Sequence, residues 1–113
     1  MRESLLLLIL LSACAKGPEA DLQYIKQARS LAAEWALVNE QAAEGRLTAA
    51  YVTSMHKWFR DGLATANQSL SRPDARYAFE IDALLKQPDD APPEELRAHA
   101  EKLKQIEDGL ESA

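Results

Sequence analysis

The chain of 113 residues has 18 acidic and 13 basic side chains, which gives a formal net charge of −5. This acidic balance argues against nucleic acid and anionic lipid head groups as partners, because both are bound by clustered Lys and Arg, and no such cluster is visible. The length corresponds to one small domain. The single cysteine, Cys14, cannot form a disulfide within the chain, so core packing must hold the fold together.

The first apolar segment, residues 5–11, is too short to cross a membrane. Its seven uninterrupted apolar residues, extended by Ser12 and Ala13, rise by only about 14 Å as a helix, whereas a bilayer core is roughly 30 Å thick. The segment has the length of the apolar region of a secretory signal, with Arg2 before it and small residues after it. We therefore predict that residues 1–13 are a cleaved signal peptide.

The four residues that end this segment, Leu11-Ser12-Ala13-Cys14, resemble the lipobox of bacterial lipoproteins, in which an aliphatic residue and two small ones precede a cysteine. The resemblance implies that the Cys14 thiol carries a diacylglycerol, that the chain is cut before Cys14, and that the new amino group is acylated, for example with palmitate. Each buried CH₂ contributes about 0.8 kcal/mol, so two or three chains anchor a protein almost permanently. The alternative is an ordinary secretory signal in which Cys14 has no special role.

A short tether, residues 14–19, joins this cysteine to a domain that we place at residues 20–113. Gly17 and Pro18 discourage a helix in the tether, and six extended residues span about 20 Å, so we expect the domain close to a membrane. The lipobox resemblance implies a protein of the cell envelope that faces the periplasm or the exterior. In a Gram-negative cell, the resemblance further implies that Ala15, which is not aspartate, allows export to the outer membrane.

Two long amphipathic helices are predicted next, joined by about three residues and therefore antiparallel. The first runs from Asp21 to Glu44 and stops at Gly45, and the second runs from a cap at Thr48 to about Leu70. Apolar stripes with spacings of three and four mark their buried faces. The stripe residues are Tyr24, Ala28, Leu31, Trp35, Val38 and Ala42 in the first helix, and Val52, His56, Phe59, Leu63, Ala66 and Leu70 in the second.

Prolines delimit two further helices. Pro73 is placed in the first turn of a short third helix, Pro88 ends that helix, and Pro92-Pro93 begins the fourth. The predicted inward residues are Tyr77, Ile81, Leu84, Leu96, His99, Leu103, Ile106 and Leu110, and the predicted i,i+4 ion pairs are Arg76 with Glu80, Arg97 with Glu101, and Lys104 with Asp108. Because β-branched residues are few and do not alternate, we predict an all-α, up-and-down bundle of three to four helices.

No motif in the sequence indicates catalysis or a cofactor, so we predict no catalytic residue, no cofactor and no metal site. The spacings of a nucleophile elbow and of a phosphate loop are missing, and the acidic stretch 88–96 lacks the glycine and the alternation of a calcium loop. His56 and His99 lie on apolar stripes of helices that can face one another. They leave open one alternative, a metal or small-ligand carrier that uses the bundle core.

A second apolar row on the second helix, formed by Tyr51, Met55, Trp58 and Gly62, is the best candidate for a partner-binding site. Either the third and fourth helices cover this row, or part of it stays exposed as a docking patch where Gly62 lets another helix approach closely. Trp35, on the main stripe of the first helix, is assigned to the core. We therefore predict a non-catalytic interaction or accessory module that contacts another envelope protein or itself.

Overall fold

The structure, a computed structural model, describes residues 18–112 of the chain. These residues form four α-helices and no strand: α1 (Pro18–Ala43), α2 (Ala49–Gln68), α3 (Arg76–Leu85) and α4 (Pro93–Glu111). The prediction of an all-α bundle is confirmed. Within the described residues, no helix is both long enough and apolar enough to span a bilayer. The predicted signal peptide, residues 1–13, and the predicted lipidation site, Cys14, lie outside the described residues.

Helix α1 begins at Pro18, ahead of the predicted start at Asp21. A proline is accepted in the first turn of a helix because the N–H that it lacks would have no partner inside the helix. Glu19 and Asp21 also place negative charge at the positive end of the helix dipole. Residues 18–19, which the sequence assigned to the tether, therefore belong to the bundle.

The turn between α1 and α2 follows the predicted signals. Gly45 has a φ of 72°, a conformation that favours glycine. The N–H groups of Gly45 and Arg46 donate to carbonyls in the last turn of α1, each at 3.0 Å, which closes the end of the helix. Thr48 then caps α2, and its side chain accepts a hydrogen bond from the N–H of Tyr51 at 3.2 Å.

The link between α2 and α3 differs from the prediction. Helix α3 begins at Arg76, so Pro73 lies in the link and not in the first turn of the helix. The carboxylate of Asp21 accepts hydrogen bonds from the N–H groups of Ser71 (2.8 Å) and Arg72 (3.2 Å). These bonds tie the backbone before Pro73 to the start of α1, which delays the helix.

The link between α3 and α4 also begins earlier than predicted. Helix α3 ends at Leu85, before Pro88, whereas α4 begins at Pro93 as predicted. Inside this link, the N–H of Ala91 donates to the carbonyl of Pro88 at 3.0 Å, which forms a turn. The hydrogen bonds of the two links, more than Pro73 and Pro88, therefore determine where α3 begins and ends.

The helices run alternately up and down. Helix α1 packs on α2 and α4, whereas the short α3 lies between α2 and α4 and barely touches α1. Salt bridges of Arg29 with Glu107 (2.7 Å) and of Lys26 with Glu111 (3.6 Å) join the start of α1 to the end of α4. These pairs show that α1 and α4 are antiparallel, and that the tether end of α1 lies beside the C-terminal end of α4.

The predicted ion pairs along single helices form only in part. Lys104 and Asp108 approach to 3.4 Å as predicted. Arg97 instead bonds to Glu40 of α1 at 2.9 Å, and Glu80 contacts a histidine of α4. In both cases a partner on a neighbouring helix replaces the predicted partner on the same helix, so two of the three predictions are wrong.

The core fills the space between α1 and the other three helices. Fully buried apolar residues are Ile25, Ala28, Ala32, Trp35, Ala36, Phe59, Leu63, Ala66, Ile81, Leu84, Ala91, Leu96 and Leu103. Among the predicted inward residues, Leu31, Val38 and Tyr77 are buried as well, whereas Tyr24, Ala42, Val52, His56, Leu70, His99, Ile106 and Leu110 are half-buried. Helix α1 buries a wider arc than its predicted stripe because it contacts both α2 and α4.

Candidate functional site

The predicted row on α2 keeps its largest side chain in water, since Trp58 is 61% exposed. Tyr51 is 47% exposed, whereas Met55 and Gly62 are half-buried. Arg60 lies about 200° around α2 from Trp58. Its guanidinium donates hydrogen bonds to the carbonyls of Leu85, at the end of α3, and of Gln87, in the link that follows. Helix α3 therefore packs on a different side of α2 from Trp58. The row therefore points away from α3. We call this side of the α1–α2 pair the open face.

A groove of about 280 Å³ lies on the open face, with walls formed by Gln27 and Leu31 of α1 and by Trp58, Asp61, Gly62 and Thr65 of α2. Gly62 forms its base against Leu31. A Cβ atom at position 62 would lie 2.7 Å from Leu31 Cδ1, which is closer than carbon atoms pack. The close approach that Gly62 permits is therefore made by α1 of the same chain.

Helix α1 contributes a second row to the open face. Starting from Gln27 in the groove wall, the spacings of three and four place Ser30, Glu34, Leu37 and Gln41 on the same side of the helix. Leu37 is 52% exposed. Of the large apolar side chains that are strongly exposed in the described residues, Leu37, Tyr51 and Trp58 belong to this face, and Phe79 belongs to α3. The sequence signal for Leu37 was an apolar residue outside the main stripe.

Charged groups next to the groove are few, and carboxylates predominate. Asp61 lines the groove and forms a salt bridge with Lys57 at 2.6 Å. Both side chains of this pair are mostly exposed, so water weakens their attraction. Glu34 adds a second carboxylate from α1. The groove is thus an apolar depression whose one charged lining residue is Asp61, and Glu34 lies on the adjoining row of α1.

The opposite side of the α1–α2 pair, which we call the closed face, is covered by α4, α3 and the link between them. Trp35 is fully buried there, stacks on Phe59 with ring centroids 6.1 Å apart, and donates from Nε1 to the carbonyl of Asp89 at 2.9 Å. The Asn39 amide nitrogen donates to the carbonyls of Asp89 and Ala91, each at 2.9 Å. These bonds fasten the α3–α4 link to α1.

Arg60 fastens the same link to α2. Its guanidinium donates to the carbonyls of Leu85 (3.1 Å) and Gln87 (2.5 Å) and to the carboxylate of Asp89 (2.6 Å). The guanidinium carbon also lies 5.3 Å from the ring centroid of Trp35, a cation–π distance. The polar groups of Arg60 and Asn39 therefore have a role in the fold, which the sequence did not predict.

The two histidines lie in different places and have different partners. His56 Nε2 is 2.8 Å from Asn39 Oδ1, and it must donate, because the Asn39 nitrogen already donates to two carbonyls. His99 contacts Glu80 through Nδ1 and Gln87 through Nε2, the latter at 3.3 Å. The rings therefore do not share a set of polar neighbours.

Three carboxylates lie close together near the end of α4, close enough to hold a metal ion between them. They belong to Glu107, Asp108 and Glu111. Each of them also forms a salt bridge, with Arg29, Lys104 and Lys26 respectively. These basic partners already balance the three negative charges. Neither histidine belongs to the group, so two of the carboxylates are explained by the packing of α4 on α1 and the third by an ion pair within α4.

Asp21 is a buried carboxylate at the tether end of the bundle. Burial alone would raise the pKa of Asp21, but hydrogen bonds from the Tyr77 hydroxyl (2.6 Å) and from Ser71 and Arg72 outweigh burial and lower it. Burial, together with the hydrogen bond to Asp21 and its charge, raises the pKa of Tyr77. Asp21 therefore holds α3 and the preceding link against the start of α1.

Comparisons with protein-family models, with curated proteins and with solved structures found no match for this chain. The open face is consequently interpreted from its own geometry and chemistry. The structure brings Trp58 and Gly62 together at the groove and places Tyr51 and Met55 on the same row. Cys14, the remaining residue that the sequence singled out, lies outside the described residues.

Proposed function

We propose that this protein is a non-catalytic interaction module, anchored in a bacterial envelope membrane through acylated Cys14, that binds another envelope protein through its open face. The observation that carries the proposal is the exposed Trp58 at the wall of the groove between α1 and α2. Tryptophan is among the residues that contribute most to binding when an interface buries them. Covering Trp58 removes apolar surface from water, which favours association.

The size of the groove supports a protein partner over a small ligand. Ligand pockets typically enclose about 300–1,000 Å³ and surround most of the ligand. The groove on the open face measures about 280 Å³ and is open to solvent. A few side chains of a partner fill such a depression, while the rest of the partner rests on Leu37 and Tyr51 beside it.

The proposed anchor determines where the partner is met. Residues 14–17 span at most about 14 Å, so the start of α1 lies near the membrane. Gln27 and Leu31, which line the groove, follow Pro18 by about 14 and 20 Å along the helix axis. With the bundle upright, the groove therefore lies within about 35 Å of the bilayer, and the partner must present its binding segment in that zone.

The proposed binding is tested by crosslinking the tagged, full-length chain in cells and identifying the captured proteins by mass spectrometry. We expect one dominant envelope partner for the unchanged chain. Trp58→Ala should lose this partner, because it removes the exposed wall of the groove. The matched control Phe79→Ala, which removes an equally exposed aromatic residue from α3, should keep it. Retention of the partner by Trp58→Ala, or self-crosslinks alone, contradicts the proposal.

The proposed anchor is tested separately by metabolic labelling with a palmitate analogue. Cys14→Ala should accumulate as an uncleaved precursor that carries no lipid label, because the lipobox resemblance requires lipidation before cleavage. Normal cleavage of this variant contradicts the anchor and leaves an ordinary secretory signal. The crosslinking experiment with Cys14→Ala then shows whether the partner is met only at the membrane.

The alternative of a metal or small-ligand carrier has less support, because His56 and His99 have separate partners. A thermal melt of the full chain with added zinc or copper separates the two proposals. An interaction module should show an unchanged melting temperature. A stoichiometric metal that is lost when both histidines are replaced by alanine would favour the carrier.

A further inference from the structure

We infer that the segment bound at the open face is an amphipathic helix of another protein, with Lys or Arg residues flanking its apolar anchor. The inference rests on the proposed function, because it specifies the partner of that same face. Three features of the open face carry it: the seam between two helices, the distance over which exposed apolar side chains are spread, and the sign of the charge beside the groove.

The seam has the form that receives a third helix. Helices α1 and α2 are adjacent and antiparallel, and the contact of Gly62 with Leu31 keeps them close together at the groove. Side chains of a helix laid along such a pair enter the depression between its ridges. Apolar residues spaced by three and four on an amphipathic helix are the usual anchors for this mode of recognition.

Exposed apolar side chains also lie beyond the groove, and on α1 the polar residues Ser30 and Glu34 separate the groove from Leu37. From Gln27 in the groove wall to the exposed Leu37, α1 rises by about 15 Å. A helix of about ten residues, close to three turns, covers this distance. Tyr51 continues the surface on α2 towards the α1–α2 turn. A ligand that fills only the groove would leave Leu37 and Tyr51 uncovered.

The charge favours a basic helix. Asp61 stands in the groove wall and Glu34 on the neighbouring row of α1, so a Lys or Arg on either side of the anchor residue meets a carboxylate. The exposed salt bridge of Asp61 with Lys57 is weak enough to be exchanged. The net charge of −5 also attracts a basic segment from a distance and raises its association rate.

The same charge disfavours two other occupants. A second copy of the chain brings another −5 to the interface, so the two copies repel each other. An anionic membrane surface is repelled for the same reason, although exposed tryptophan and tyrosine are otherwise suited to the membrane interface. A basic helix of a different protein satisfies both the apolar surface and the charge.

The inference is tested in cells with a photoreactive phenylalanine analogue at Thr65, an exposed residue of the groove wall, in the full-length chain. The adduct is digested, and the attached peptide is sequenced by mass spectrometry. We expect a segment with apolar residues spaced by three and four and an excess of Lys and Arg. The adduct should disappear in the Trp58→Ala background and persist with Phe79→Ala.

The captured segment is then synthesised and titrated onto the full-length chain, and its affinity for each variant is measured by calorimetry. Trp58→Phe supplies a second variant, which keeps an aromatic ring in the groove wall. We expect Trp58→Ala to weaken binding by at least about tenfold, and Glu34→Gln with Asp61→Asn to weaken it by about threefold at low salt. High salt should reduce the affinity of the unchanged chain towards that of the double variant.

The outcomes separate this inference from the proposed function. A captured protein segment that is acidic or neutral, or whose affinity is unaffected by salt and by the double variant, overturns the basic helix and leaves the interaction module standing. Adducts at Thr65 with a second copy of the chain, with lipid alone, or with nothing overturn both. A basic helical segment lost with Trp58→Ala supports both.

Discussion

The two faces of the α1–α2 pair use the same residue type in opposite ways. On the closed face, Trp35 is fully buried, stacked on Phe59 and hydrogen-bonded through its indole nitrogen. On the open face, Trp58 is 61% exposed and forms one wall of a groove. The fold therefore accounts for Trp35 completely, whereas Trp58 has no comparable role in holding the bundle together.

The polar groups repeat this difference. On the closed face, Asn39 and Arg60 direct their side-chain donors to carbonyl or carboxylate oxygens of the α3–α4 link. Within the described residues, every buried side-chain nitrogen or oxygen has a hydrogen-bond partner. The buried polar side chains of the described residues are thus accounted for by the fold. The exposed apolar side chains of the open face are not, which is why the proposed function is placed there.

Replacing each tryptophan in turn should have very different effects on stability. Trp35→Ala should lower the free energy of unfolding by about 3–5 kcal/mol, because it leaves a cavity and removes one of the two side-chain donors to the Asp89 carbonyl. Trp58→Ala should change it by less than about 0.5 kcal/mol, because the side chain is mostly in water. Urea unfolding followed by circular dichroism measures both values. Equal losses would show that the open face is also part of the folding core.

The second prediction concerns Asp21. Asp21→Asn should cost about 1–3 kcal/mol at neutral pH, because one oxygen that accepts hydrogen bonds becomes a donor group facing other donors. Asp74→Asn, an exposed change in the same link, is the control and should be nearly neutral. A loss of similar size in both variants would contradict the assigned role of Asp21.

The pH dependence of stability provides a second measure of Asp21. Its pKa is lowered in the folded state, so its stabilising contribution is complete above the unfolded pKa of about 3.9. That contribution is lost as the pH falls through the lower folded pKa. Between pH 5 and pH 2, the stability of the unchanged chain should therefore fall more steeply than that of Asp21→Asn. Parallel curves for the two proteins would contradict this contribution.

The third prediction concerns the hydrogen bonds by which Arg60 holds the α3–α4 link against α2. Arg60→Lys keeps the charge but loses the planar donor group that reaches three acceptors, so we expect a loss of about 1–2 kcal/mol. Amide hydrogen exchange in the link, residues 86–92, should become faster. Lys57→Ala on the same helix removes an exposed salt bridge and should cost less than about 1 kcal/mol. Unchanged exchange in Arg60→Lys would show that Trp35 and Asn39 hold the link without it.

Much of the fold could be predicted because its signals are local. The spacing of apolar residues along α1 and α2 reports which side of each helix is buried, and Gly45, Thr48 and Pro93 mark helix ends through the conformations that they favour. Each of these signals acts within a few residues of its position in the chain. They are therefore readable from one sequence.

The missed features depend on partners far away in the chain. Asp21 is bonded to groups about 50 residues later, and Arg60 to carbonyls about 25 residues later. A carboxylate in the first turn of a helix is explained locally by the helix dipole, so no local signal predicts that Asp21 is buried. Because Asp21 holds the α2–α3 link, the predicted start of α3 at Pro73 was also wrong.

The candidate site lies between these two cases. The row that contains Trp58 could be predicted from its spacing, but the two alternatives, covered or exposed, could not be separated. Periodicity shows that α2 is apolar over a wide arc and does not show which side α3 occupies. In the structure, α3 packs on the side of α2 that faces away from Trp58. On that side Arg60 donates to the carbonyls of Leu85 and Gln87.

Two helical glycines test the base of the groove, where we expect only small changes in stability. At Gly109 of α4 an added Cβ atom meets nothing within 4 Å, so Gly109→Ala should raise the free energy of unfolding by up to about 1 kcal/mol through helix propensity. At Gly62 the Cβ atom would lie 2.7 Å from Leu31 Cδ1. Gly62→Ala should therefore show a smaller gain or a small loss, because the end of Leu31 must move.

The two glycine variants should also differ in how they affect binding. Leu31 forms part of the groove wall, so its displacement in Gly62→Ala changes the groove while the closed face stays intact. We expect weaker capture of the partner with nearly unchanged stability, whereas Gly109→Ala should alter stability alone. Denaturant unfolding and in-cell crosslinking of the two variants measure these effects. Equal gains in stability would show that Leu31 moves without cost. Equal capture would show that the shape of the groove does not limit binding at the open face.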